Sequence, residues 1–232
     1  MTPATEEISM QGAVAVGSGA LLGAGRTPYY QDRFVTLYHG SSVEMIPADL
    51  APECVVTDPP YGVGFKYESY DDTPENYAPI RQLLERLTAN AKQMALMSGQ
   101  RQMWNMPKPK WALCWAKPGS CRRSDLGGFN EWEPVLLYGK WRKVNNDLKW
   151  LPNCVNYHKD IATEHPCPKP AKLMTWLVSL TDGEILDPFA GSGSTLLAAK
   201  QLNRKAVGIE IEEKYCEIIA KRMSQDVLSL GT

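Results

Sequence analysis

Glu184-Ile185-Leu186-Asp187-Pro188-Phe189-Ala190-Gly191-Ser192-Gly193-Ser194-Thr195 is the stretch that decides the fold. Glu184–Leu186 has the composition of a short buried strand, ending at Asp187 because Pro188 has no N–H for a ladder. Gly191 and Gly193 supply a tight turn, and Ser194 to Leu202 reads as a helix. Such a turn lets a ligand approach the backbone closely, and the helix N-terminus favours a negative group. The next strand, Ala206–Glu210, closes on a carboxylate placed to accept two hydrogen bonds from ribose hydroxyls. A lone Gly-x-Gly says little, but strand, loop, helix, strand and terminal glutamate together say much more. Leu196 stands where a dinucleotide fingerprint wants its third glycine, and no Gly-Lys-Ser/Thr follows. Pyrophosphate and nucleoside triphosphate are thereby disfavoured. A purely structural strand-turn-helix is the competing reading.

The flanking chain continues the alternation. Upstream, Phe34–Tyr38, Val55–Thr57, Gln93–Met97, Trp111–Trp115 and Glu133–Tyr138 have strand character. Pro74–Lys92 and Ala171–Leu180 read as helices, and Glu213–Met223 as a third beyond Glu210. Strands alternating with helices predict an α/β fold, a mostly parallel sheet covered on both faces. Residues 1–28 are rich in Gly, Ala and Ser without a persistent period and are expected to be a flexible extension. Residues 29–232 are expected to form one catalytic domain.

Asp58-Pro59-Pro60-Tyr61 lies about 130 residues before the glycine turn, directly after a buried strand. Taken alone it is good turn chemistry. It also suits an exocyclic amino group, whose nitrogen is a poor nucleophile because its lone pair is delocalised into the ring. A carboxylate (Asp58) accepting one N–H, and the Pro59 carbonyl accepting the other, would localise that lone pair. The Pro59 carbonyl is available because Pro60 has no N–H to continue the sheet. The Tyr61 ring offers a stacking surface for a base flipped out of a duplex.

Together these two motifs, in this order, resemble the amino-methyltransferases of DNA, in particular their circularly permuted β class, over roughly residues 29–224. The resemblance implies a Rossmann-like class I fold with a seven-stranded sheet. It implies S-adenosylmethionine as cofactor and adenine N6 as target, with cytosine N4 as the alternative. Asp187, Phe189, Gly191, Ser192, Gly193, Ser194, Thr195 and Glu210 would bind the cofactor, and Lys169-Pro170, heading the helix before the glycine turn, would line the same pocket. Where many members carry Gly-Asp after the first strand, this chain has Gly40-Ser41, which weakens the expected adenine contact. The related Asn-Pro-Pro-Tyr form, found in enzymes acting on RNA or protein glutamine, normally follows the glycine loop. The aspartate and the motif order here imply DNA. RNA methylation and a DNA-binding pseudoenzyme are the remaining alternatives.

The formal net charge is only -1, but residues 101–149 hold ten basic and four acidic residues. Six of the seven tryptophans lie between Trp104 and Trp150. Interleaved basic and aromatic residues suit a nucleic-acid surface. A small target-recognition insert is expected around 118–165, with Lys140, Arg142 and Lys143 on phosphates and Trp132 beside them. Trp111 and Trp115 fit a strand pattern and are expected in the core. Cys154, His158, His165 and Cys167 match no standard zinc spacing, so no metal is expected. Pro166-Cys167 mimics a cytosine-C5 nucleophile but directly precedes Lys169-Pro170. Six scattered cysteines, no signal-peptide pattern and no membrane-length apolar run imply a reducing, cytoplasmic setting. Duplex DNA is the expected partner, while a homodimer and a cognate restriction endonuclease are left open.

Overall fold

The computed structural model describes residues 22, 25–65, 67, 69–117, 131–141 and 169–225. Short β-branched and apolar runs become β1 (Tyr30–Gln31), β2 (Val35–His39), β3 (Cys54–Thr57), β4 (Gln93–Met97), β5 (Trp111–Ala116), β6 (Trp132–Gly139), β7 (Ile185–Asp187) and β8 (Ala206–Glu210). The helices are α1 (Ser42–Met45), α2 (Pro74–Asn90), α3 (Gly99–Gln102), α4 (Ala171–Ser179), α5 (Ser194–Gln201) and α6 (Glu213–Ser224). All strands share one sheet in the order β1-β2-β8-β7-β3-β4-β6-β5. Neighbours from β2 through β4 run parallel, while β6 pairs antiparallel with β4 and β5.

The seven expected strands are joined by β1, an antiparallel two-residue addition at the β2 edge. Asp32 creates it. Its carboxylate accepts the N–H groups of Phe34 and Val35, both at 2.7 Å, and turns the chain back on itself.

Residues of β3, β4, β7 and β8 are buried throughout, as strands covered on both faces must be. One face packs under α2 through Tyr77, Ile80, Leu83, Leu84 and Leu87. Leu22 joins this cluster, 2% exposed. The opposite face meets α4, α5 and α6, with Leu173, Leu177, Leu196 and Ile219 fully buried. Helix α2 starts where expected because the Thr73 hydroxyl accepts the Asn76 N–H at 3.2 Å and Pro74 follows at the first helical position.

One expectation about the core is corrected. Trp115 is buried at 4% exposure, but Trp111 is 62% exposed. The two share a side of β5, as alternation requires. Trp111, however, begins the strand, whereas Trp115 lies towards its other end with Lys117 and Lys169 over its ring. Most of the expected extension (1–28) and of the insert (118–165) lies outside the described residues. Among the described residues no helix is long and apolar enough to cross a membrane.

Candidate active site

The C-terminal ends of β3, β7 and β8 lie side by side, the usual ligand side of an open parallel sheet. Each end bears a carboxylate: Asp58 just after β3, Asp187 closing β7 and Glu210 closing β8. The Thr57 hydroxyl donates to Asp187 Oδ1 at 2.8 Å and ties the first of these ends to the second.

In the β7–β8 half, Asp187 also accepts the Phe189 N–H at 3.2 Å and a bond from Thr195. Burial pushes its carboxyl up to about 6, against those hydrogen bonds. Glu210 accepts the N–H groups of Gly191 at 2.6 Å and Glu212 at 2.9 Å. Burial pushes it up to about 7, and the negative Asp187 and Glu212 add to the rise. Gly193 caps α5 with φ +77°, and a Cβ there would stand 2.9 Å from Ile219 Cγ1. Only glycine combines that backbone with that approach. Ser192 and Ser194 face each other, Oγ to Oγ 3.2 Å, and Arg222 donates to the Ser192 carbonyl. Phe189 is partly buried against the α2 cluster. Ser41 caps α1 without a side-chain bond, and its neighbour Ser42 donates to the Pro188 carbonyl.

S-Adenosylmethionine fits this half. Among the described residues no lysine or arginine bridges Asp187 or Glu210. Two buried carboxylates without a cation call for a ligand bearing hydroxyl donors and positive charge, which a ribose and a sulfonium amino acid supply. When bound, the cofactor contributes an electrophilic methyl group. The chain supplies acceptors at Asp187 and Glu210 and a glycine turn that lets the backbone come close.

In the β3 half, Asp58 Oδ1 accepts the Tyr61 hydroxyl and Oδ2 accepts Lys169 Nζ. Withdrawal from water raises the Asp58 carboxyl above its ordinary range, against the pull of Lys169 and with a push from Glu133. Burial, then the Asp58 charge, holds the Tyr61 phenol well above its usual value, so it is a donor at neutral pH. The Tyr61 ring is clamped: a Cβ at Gly99 would meet it at 3.1 Å, and Gln102 Nε2 donates to the Tyr61 carbonyl at 2.6 Å. The following loop wraps around buried Asp72, which accepts N–H bonds from Gly62 at 2.6 Å, Val63 at 3.0 Å and Phe65 at 3.4 Å.

Lys169, expected along the cofactor pocket, directs its ammonium to Asp58 and stands 3.9 Å from Glu133 Oε2. Pro170 is the N-cap residue of α4. Trp132 reaches this rim of the sheet, its carbonyl accepting Gln100 Nε2 at 3.0 Å. Lys140 does not. The antiparallel course of β6 carries it past Gly139, which pairs with Gln93 at the start of β4, the opposite end of the sheet. Arg142, Lys143 and the Cys154, His158, His165, Cys167 quartet lie outside the described residues. Sequence reasoning missed Glu133 and Lys117 beside Asp58, and the α3 turn with exposed Arg101. An acidic residue on an otherwise apolar strand was the available signal for Glu133.

Fold and site thus define a Rossmann-like methyltransferase that uses S-adenosylmethionine. Residues 93–221, more than half of the chain, match the N6/N4 methyltransferase family described as DNA methylase. The chain belongs to that family, the amino-methyltransferases of DNA. It is 28% identical over 262 residues to the type II methyltransferase M.ScaI of Streptomyces caespitosus, covering 88% of this chain and 86% of that one. The structure of the M1.HpyAVI–SAM complex is similar with a TM-score of 0.56 and 25% identity, covering 82% of this chain and 100% of that one. The cytosine-N4-specific PvuII DNA methyltransferase shares the fold at TM-score 0.66 and 19% identity, over 88% of this chain and 92% of that one.

Proposed function

We propose that this DNA methyltransferase modifies the N6 amino group of adenine in duplex DNA after the base is flipped into the site. The observation that carries the reading is the contact between the two halves. Asp58 follows Thr57, whose hydroxyl is bonded to Asp187, so an amino group held on Asp58 lies next to the cofactor half. In this reading Asp58 accepts one amino N–H and the Pro59 carbonyl the other. The Tyr61 ring stacks on the base, a contact worth roughly 1–3 kcal/mol. Glu210 holds the ribose, while Asp187, Phe189 and the Gly191–Thr195 turn line the rest of the cofactor. Trp132 and Arg101 flank the entrance, and Arg142 and Lys143 reach phosphates from the 118–165 insert. A cytoplasmic setting and a cognate endonuclease partner belong to the same reading.

Adenine is preferred because the Asp form of the tetrapeptide is commoner among adenine enzymes and a Ser form among cytosine enzymes. Cytosine N4 is the second reading, since it offers Asp58 the same amine beside a ring nitrogen. Mass spectrometry of nucleosides from unmethylated genomic DNA treated with enzyme and cofactor tests the choice. N6-methyladenine is expected, and N4-methylcytosine without methyladenine overturns it.

A further inference from the structure

Four charged side chains meet beside the tetrapeptide, drawn from four separate parts of the chain. Lys169, just before α4, donates to Asp58 Oδ2 and lies 3.9 Å from Glu133 Oε2. Lys117, just after β5, donates to the other Glu133 oxygen, Oε1. The side chains of Asp58, Glu133, Lys117 and Lys169 are 24%, 12%, 14% and 13% exposed. Trp115 supports both ammonium groups, with its ring centroid 5.1 Å from Lys117 Nζ and 5.8 Å from Lys169 Nζ. Two cations and two anions balance over an aromatic floor, so moving one ammonium within the group leaves its net charge unchanged.

We propose that Lys169 is a positioning residue shared between Asp58 and Glu133: it occupies the amino-group side of Asp58 until a base arrives, then moves onto Glu133. The proposal rests on Asp58 being the acceptor of the target amino group. Both Asp58 oxygens already have donors, Tyr61 on Oδ1 and Lys169 on Oδ2. An arriving N–H therefore competes with Lys169, because the Tyr61 donor is fixed by Gly99 and Gln102. The travel required is small, since closing 3.9 Å to an ion-pair contact takes about 1 Å of movement. Lys117 keeps Glu133 in place for the exchange. In the empty site Lys169 pairs with Asp58 and aims it. In the occupied site Glu133 removes the competing donor, so that the carboxylate faces the amine alone.

Among the described residues, the groups facing Asp58 are Lys169 ahead of α4, Glu133 on β6, Tyr61 in its own loop and Asp187 on β7. Their signs make the test directional. Lys169→Met removes the cation and should move the acid limb of kcat/KM to higher pH. Glu133→Gln removes the competing anion and should move that limb to lower pH, while raising KM for DNA because Lys169 then stays on Asp58.

The assay is transfer of labelled methyl to unmethylated genomic DNA across the pH range, with cofactor affinity measured by calorimetry. For Lys169→Met we expect a limb shift of about one pH unit and a loss of about tenfold or more at neutral pH. Cofactor affinity should stay within about twofold, or ~0.4 kcal/mol, and Lys169→Arg should recover most of the rate. Limbs that do not move, or that move the same way in Lys169→Met and Glu133→Gln, overturn the proposal, as does a Lys169→Met variant that loses cofactor affinity. If Lys169→Met does not fold, Lys169→Arg and Glu133→Gln still decide through the limb and KM. Asp58→Ala separates the two levels: its inactivity with retained cofactor binding supports the site. Transfer within about tenfold of wild type removes the site and this proposal with it.

Discussion

Replacing Glu210 by glutamine removes a charge while keeping an oxygen that can accept the N–H groups of Gly191 and Glu212. The carboxyl it replaces is 6% exposed and pushed up to about 7 from an ordinary 4.5, and its neighbour Asp187 is pushed to about 6 from 3.8. A carboxyl raised in the folded state holds its proton more tightly there than in the unfolded chain. Its stabilising contribution is complete below the unfolded value and is lost as pH climbs through the folded one. For Glu210 that window runs from 4.5 to about 7, and for Asp187 from 3.8 to about 6. At 1.36 kcal/mol per unit, raising the pH from about 5 to about 8 costs the cofactor-free protein about 3 kcal/mol through Glu210 and about 1 kcal/mol through Asp187. Urea unfolding at the two pH values should show a fall of ~4 kcal/mol in the wild type and ~1 kcal/mol in Glu210→Gln. Other titrating groups cancel in the difference between the two proteins. Between about pH 6 and pH 7, S-adenosylmethionine affinity should rise more steeply in the wild type, by up to about tenfold from Glu210, than in the variant, which keeps only the Asp187 titration. Equal pH dependence of stability in both proteins would refute the picture of a buried, uncompensated carboxylate.

Two other perturbations are sharply defined. Gly139 has φ +83°, and a Cβ there would lie 2.1 Å from the Lys92 carbonyl oxygen, a backbone atom that cannot yield cheaply. Gly139→Ala should therefore cost about 3 kcal/mol or more in urea unfolding, and a change below about 0.5 kcal/mol contradicts the packing. For DNA binding, Arg101→Ala at the catalytic rim should lower the log–log salt slope by roughly 0.9, while Lys140→Ala, at the opposite end of the sheet, should leave it unchanged. The reverse result would place the DNA on the other side.

Elements whose signal is local were legible in the sequence. Strands β4 and β8 occupy the residues their composition indicates, Gln93–Met97 and Ala206–Glu210, and α2 begins at Pro74 behind its Thr73 cap. Helices α1 and α3 were not foreseen, because four residues complete barely one helical turn and leave no period to detect. The carboxylates of the site were readable for a similar reason: Asp58 and Asp187 each stand at a strand end directly before proline, and Glu210 closes the run 206–209. What the sequence did not reveal is pairing across the fold. Lys169 meets Asp58 from 111 residues away, and nothing in the spacing of Lys169-Pro170 distinguishes that contact from one with the cofactor. Trp111 and Trp115 look alike in the strand pattern, and what separates them is their place along β5: Trp115 lies at the end where Lys117 and Lys169 pack over its ring. The end of the sheet on which Lys140 emerges depends on β6 running antiparallel, which its composition does not state.

The adjacency of β3 and β7 has a consequence for descent. A sheet sorts its strands by hydrogen bonding, not by the moment at which the chain reaches them. A polypeptide that laid down β7 first and β3 afterwards would set the same aspartates at the same separation, with the same threonine strut between them. Moving the point at which such a chain starts changes which loops must exist and leaves every atom of the rim where it was. Selection on catalysis cannot see that change. Motif order in such a fold therefore records ancestry, while the spacing of its acids records chemistry.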